Sequence, residues 1–249
     1  MRIAKFVCYQ RRSMKERAIQ LDQQLFYLKN LQKQVATVEH AVSYDGAEWF
    51  SYAPTQFMYA YVAFNAVYSI DWNNSLQTGE LSLLPKASSE SDKFNKYLEF
   101  CFQDCDFVAS FAHFFFNYIT APIGSNNILS ELKRIQPDVN RVLANVYGHD
   151  FIMKFKNTCD DCISGRHFTV ENIKTIVYFI YKIRCNVFHG VKGLDELNDE
   201  RQQVRMRIYS AIILAVNQMG LSYLAYLSND NKFTVPSLPF LRPFHPRSI

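Results

Sequence analysis

Apolar residues recur along this chain at helical spacing, in long runs separated by few breaks. From Ser13 to about His40, Leu21, Leu25, Leu28 and Leu31 share one face while Gln, Lys and Arg fill the others, which predicts a polar helix with a narrow apolar stripe. The stretch Ala41 to Pro54 mixes Ser, Asp and Gly with aromatics and reads as a connector, and Pro54-Thr55 suits the first turn of a new helix. That helix, Thr55 to about Asp71, is apolar nearly all round and is followed by the polar WNNSLQTGE, read as a loop. A second loop, Leu84 to Asp92, leads to one aromatic-rich helix from about Lys93 to Thr120 that stops at Ala121-Pro122-Ile123-Gly124.

Shorter helices are predicted over Ile128 to Ile135 and Pro137 to Lys156, then a loop from Asn157 to Gly165. Two further helices follow, Thr169 to His189 and Leu194 or Asp195 to Ser228. Gly190 is placed as the C-cap of the first, and Asp195, Glu196, Asp199 and Glu200 put negative charge where the dipole of the second favours it. Beyond Asn229, Pro236, Pro239, Pro243 and Pro246 exclude a helix. The fold class is therefore all-α, divided into a helical extension over 1–48, a helical domain over 49–228 and a Pro-rich tail over 229–249.

Composition supports this division. A hydrophobic content of 49% with 15% aromatics suffices for a large core, and 8 Gly and 8 Pro among 249 residues leave room for long helices. The balance of 27 basic and 23 acidic residues permits an anionic partner without demanding one. The beginning, MRIAKFVCYQRR, shows charge within any apolar stretch and no small-residue cleavage site, so no secretory signal is expected and the cytoplasm is the expected compartment. Cys8, Cys101, Cys105, Cys159, Cys162 and Cys185 are too sparse for a disulfide scaffold and are read as free thiols.

Three stretches lack formal charge: Trp49 to Ile70, Phe107 to Ser130 and Ile208 to Ser228. Each carries residues costly in hydrocarbon, among them Gln56 and Asn65, His113 and Asn117, and Asn217 and Gln218, so buried core helices explain them better than membrane spans.

Chemistry concentrates in ENIKTIVYFIYKIRCNVFHG. At ~100° per residue, Ile173, Ile176, Val177, Ile180, Ile183 and Val187 fall within an arc of about 120°, and Arg184 lies inside it. A guanidinium on a core-facing stripe must be paired, hydrogen-bonded, or directed at an interface or anion, because burying it bare is very unfavourable. Its plain alternative is a structural Arg bonded to a neighbouring helix. His189 follows five residues later, roughly 7.5 Å along the axis and ~140° around it. At a helix C-terminus the dipole favours the charged imidazole, whereas Arg184 opposes it, leaving a histidine suited to proton transfer near neutral pH. Taken alone, such a histidine also serves as a capping residue.

The run Arg184-Cys185-Asn186-Val187-Phe188-His189-Gly190 resembles the Arg-x4-6-His signature of HEPN domains, with the Asn between Arg and His and the Gly after them. IRCNVFHG with Lys192 is similar to abortive-infection and other defence-associated members, and YVAFNAVYSI with Asn65 resembles their first core helix. The resemblance spans roughly Trp49 to Ser228. It implies a HEPN-like helical bundle with an additional N-terminal helix, and a homodimer that joins two copies of the motif around one RNA-binding cleft. It also implies RNA cleavage without a metal or other cofactor, leaving 2′,3′-cyclic phosphate and 5′-hydroxyl ends. His189 would be the general base or acid, Arg184 the stabiliser of phosphorane charge, and Asn186 the group orienting His189 or a phosphate oxygen.

Lys182, Lys192, Arg201, Arg205 and Arg207 are candidate contacts to the RNA backbone, with a solvated helix face as the plain alternative. An antitoxin or other regulatory protein is a further candidate partner. A non-catalytic HEPN-type module that binds RNA, nucleotide or protein is the competing function.

Other signals carry less. Cys159-Asp160-Asp161-Cys162 supplies only two zinc ligands and has no βαβ context for redox chemistry. The run Phe111, His113, Phe114, Phe115, Phe116 and Tyr118 fits core packing better than base stacking. No Gly-rich phosphate loop, HExxH or GxSxG occurs, which weighs against conventional ATPases, metalloproteases and α/β-hydrolases.

Overall fold

A computed structural model describes residues 2–37, 42–44, 47–50, 52–120, 122–123, 126–127, 153–154, 157–158, 160–161, 169–188 and 199–229. The named helices are α1 (Arg2–Gln24), α2 (Phe26–Thr37), α3 (Tyr52–Tyr68), α4 (Trp72–Thr78), α5 (Glu90–Cys101), α6 (Cys105–Thr120), α7 (Val170–Phe188) and α8 (Glu200–Ser228). Two antiparallel ribbons accompany them, β1 (Val42–Tyr44) with β2 (Ala47–Phe50) and β3 (Pro122–Ile123) with β4 (Asn126–Asn127). The protein is all-α, with these short pairs at connections. The predicted helices over 128–135 and 137–156 and the tail lie wholly or largely outside the described residues, and of the loop predicted over 157–165 the described residues 157–158 and 160–161 are helical instead.

Local chemistry corrects several predicted boundaries. WNNSLQTGE is not simply a loop, because Trp72–Thr78 forms α4. The Asp71 carboxylate accepts from the Asn74 N–H at 3.2 Å, and Gly79, at φ 78°, closes the helix by donating to the Ser75 carbonyl. Trp72 is buried, stacks on Phe100 at 5.1 Å and donates its indole N–H to the Val67 carbonyl at 2.9 Å, so tertiary packing anchors a short polar helix.

The helix predicted over Lys93 to Thr120 is two helices. Ser89 caps α5 through a bond from the Asp92 N–H, and the Asp104 carboxylate accepts from the Phe107 N–H at 2.9 Å to start α6. Capping at Asp104 turns the chain where apolar periodicity alone ran on. Likewise α3 begins at Tyr52, with Pro54 inside its first turn where a missing N–H costs nothing, and α1 reaches back to Arg2. Helix α8 begins at Glu200, where Asp199 accepts from the Gln202 N–H.

Helix α8 is the axis of the core. From Ile208 through Leu224 its residues are buried with the single exception of Gln218, which is partly exposed. By length and composition Arg205–Ser228 could cross a membrane, but 89% of its most apolar window is buried by other helices, the position of a core helix. It packs most extensively on α3, then on α1, α5, α6 and α7. Ala18, Leu21 and Leu25 from α1 and its junction with α2 join the same core as Phe57, Phe64, Phe94, Phe107 and Phe179. Aromatic edges set much of the packing, with the Phe64 ring meeting Tyr68 at 5.0 Å, Phe94 at 5.7 Å and Tyr97 at 6.3 Å.

Ring contacts also fix helix directions. Along α5 and α8, Tyr97 meets Val216 and Phe100 meets Tyr223, so these helices run the same way. Along α7, Lys174 lies over Phe102 while Tyr181 stacks on Phe94 at 5.0 Å, so α7 runs against α5 and therefore against α8.

Candidate active site

The motif rides on α7. Thr169 and Asn172 start that helix reciprocally: the Asn172 N–H donates to the Thr169 hydroxyl at 3.3 Å, and the Thr169 N–H donates to Asn172 Oδ1 at 2.7 Å. Ile173, Ile176, Val177 and Ile180 are buried as the stripe predicts. Thr175 and Phe179 are buried too, so α7 is covered on more than one side, and Thr175 satisfies its hydroxyl on the Glu171 carbonyl at 2.7 Å.

Arg184, Asn186 and Lys182 lie on the last turns of α7, whose final residue is Phe188. Their side chains, and His189 and Lys192 entirely, fall outside the described residues, as does the Arg201 side chain on α8. The direction of α7 is nevertheless decided. Because it passes Phe102 first and Phe94 later, its motif end approaches the start of α5 and the N-terminal end of α8. That end carries Arg201, Arg205 and Arg207.

Arg205 and Arg207 are partly exposed, and both engage other groups of the protein. Burial pushes the Tyr209 hydroxyl well above its ordinary pKa, and the adjacent Arg205 charge acts against that shift. Tyr209 meets Phe179 of α7 at 6.1 Å and Phe57 of α3 at 6.1 Å, so α3, α7 and α8 converge one turn inside Arg205. Arg205 is a partly exposed residue whose guanidinium Nε is buried beside this convergence, so packing holds its stem near the surface.

Asn65, singled out in the sequence, is partly buried on α3 and accepts from the Ser69 hydroxyl at 3.2 Å, a local bond within its own helix. In the aromatic run, Phe111 and Phe115 are buried and stacked, Phe114 and Phe116 are partly buried, and His113 is exposed with its ring nitrogen 3.1 Å from the Asn117 amide. The buried pair is core packing. Cys101 is buried, and desolvation holds its thiol well above the ordinary range; Cys105 is exposed and likewise free. Cys159 and Cys162 lie outside the described residues.

Sequence reasoning missed Tyr97. Its buried hydroxyl donates to the Val216 carbonyl at 2.6 Å and accepts from the Gly220 N–H at 3.1 Å, the acceptor and donor of one helical i to i+4 pair. The available signal was Gly220 in the middle of a long apolar helix, where absence of a side chain permits such an approach. Compared with family models, curated proteins and solved structures, the chain finds no significant match.

Proposed function

We propose that this protein is a metal-independent endoribonuclease of the HEPN type, acting as a homodimer in the cytoplasm as a toxin or defence effector. The observation that carries the reading is the antiparallel course of α7 against α8, which brings the end of the Arg-x4-His helix to the same end of the bundle as Arg201, Arg205 and Arg207. An all-α core with a buried motif helix supports it.

In this reading RNA lies across the end of α7 and the first turns of α8, its phosphates held by Arg205, Arg201, Lys182 and Lys192. His189 takes the proton from a 2′-hydroxyl, whose oxygen attacks the adjacent phosphorus. The bond from phosphorus to the 5′-oxygen breaks, and that oxygen takes a proton from the acid, the second protomer's imidazole or water. Arg184 offsets the added negative charge of the pentacoordinate state, and Asn186 orients His189 or a phosphate oxygen. The products are a 2′,3′-cyclic phosphate and a 5′-hydroxyl, with no change of oxidation state.

End-labelled total RNA incubated with the purified protein in EDTA tests this beside Arg184→Ala and His189→Ala. Cutting that leaves cyclic-phosphate ends and disappears in both variants is expected. Intact RNA from a folded dimer would overturn the enzyme and leave the RNA-, nucleotide- or protein-binding module.

A further inference from the structure

Asn217 sits at the centre of α8 with no exposed surface, and among the described residues neither its Nδ2 nor its Oδ1 has a hydrogen-bond partner. A buried amide left in this state is strongly unfavourable, and native interiors satisfy such groups with protein or water. The other polar groups of the same turns are served. Gln32 of α2 donates its Nε2 to the Leu214 carbonyl at 3.1 Å and to Gln218 Oε1 at 3.1 Å. Tyr97 of α5 serves Val216 and Gly220.

Geometry tells where the unserved amide points. At ~100° per residue, Leu214 and Gly220 lie about 60° to either side of Asn217. The side chain therefore leaves α8 between the Gln32 side and the Tyr97 side. Helix α3 packs on α2, on α5 and most extensively on α8, and from that shared packing we infer that it covers this sector. Of α3, Ala60 and Ala63 are buried, and the neighbouring Phe64 ring meets Tyr97. Short side chains on the buried side of α3 favour room for a small polar guest, and Ala offers no side-chain partner of its own.

We propose that Asn217 binds at least one ordered internal water in the seam between α8 and α3. The water accepts from Nδ2 or donates to Oδ1 and gives its remaining bonds to main-chain carbonyls of the facing helix. With Gln32 on one side and Tyr97 on the other, this water completes a ring of polar ties that sets the rotation of α8 about its axis. That rotation decides where Arg201 and Arg205 emerge. The inference stands independently of the proposed ribonuclease activity.

A crystal structure of the full chain at a resolution that shows ordered solvent tests the site. A water peak within hydrogen-bonding distance of the Asn217 amide is expected, absent in Asn217→Leu while the Tyr97 and Gln32 bonds persist. A direct bond from the amide to a protein group, or an amide with no density beside it, overturns the proposal. In solution, the assigned Asn217 side-chain amide protons should show cross-relaxation with long-lived water, and its absence counts equally against the site.

Discussion

The two halves of α8 obey different rules. From Ile212 to Leu224 nearly every residue is buried, and the Leu214 and Val216 carbonyls accept bonds from Gln32 and Tyr97 on other helices. From Gln202 to Arg207 the described side chains are the partly exposed Gln202, Gln203, Arg205 and Arg207 and the buried Met206. One half is held from several directions and fixes the bundle; the other presents charge at its end. In this all-α protein the core packing and the proposed phosphate contacts occupy separate turns of α8, while the proposed catalytic group sits at the end of α7, so substitutions should affect stability and chemistry separately.

The largest effect that would sharpen this separation is Phe64→Ala. Its ring meets Tyr61, Tyr68, Phe94 and Tyr97, and removing it should cost about 3–5 kcal/mol in chemical denaturation. The companion variant Arg184→Ala should lower RNA cleavage by at least ~100-fold, with a far smaller loss of stability. If Arg184→Ala instead unfolds the protein as readily as Phe64→Ala, the guanidinium is a structural core group and the division of labour fails.

Gly220→Ala probes the held half more finely. A Cβ there would lie 2.9 Å from Tyr97 Cε2 in a ring that is fully packed, so the Tyr97 hydroxyl must leave its position between Val216 and Gly220. The expected loss is about 1–3 kcal/mol despite the better helix propensity of Ala. A variant as stable as the parent would show that the close approach of Tyr97 contributes nothing.

Arg205→Ala probes the open half. RNA binding measured across a salt series should weaken regardless of sequence, and the slope against log salt should fall by ~1. An unchanged slope removes Arg205 from the phosphate path.

The smallest effect belongs to a surface pair that neither half depends on. The Lys174 ammonium lies 3.2 Å from Glu171, and this bond holds the Glu171 pKa below its usual value. A depressed carboxylate pKa gives stability that is present above the unfolded-state pKa and lost as pH falls through the folded-state value. Glu171 is largely exposed, so Glu171→Gln should cost no more than about 0.5 kcal/mol at neutral pH, and the difference from the parent should vanish in acid. A difference that grows on acidification would reverse the assigned sign.

Much of the fold was legible because helical periodicity reports burial directly. The stripe Ile173, Ile176, Val177 and Ile180 marks the buried side of α7, and the charge-free stretch from Ile208 marks the core axis. Capping was less legible. Asp71 and Asp104 look like ordinary loop acids until their carboxylates are seen to accept helical N–H groups, which is why α4 escaped notice and the α5–α6 break was run through. Of the candidate site, residue types and spacing singled out Arg184, Asn186 and His189, and the helix ending beside them followed from the same run.

The sequence by itself determined an all-α chain, the identity of its most apolar helix and the Arg-x4-His motif at a helix end, because these depend on spacing within one segment. Tertiary structure decided that α7 runs against α8, that Tyr97 reaches into the α8 backbone at Gly220 and that the buried Asn217 amide has no partner among the described residues. Those are relations between residues far apart in the chain, and no local periodicity encodes which faces meet.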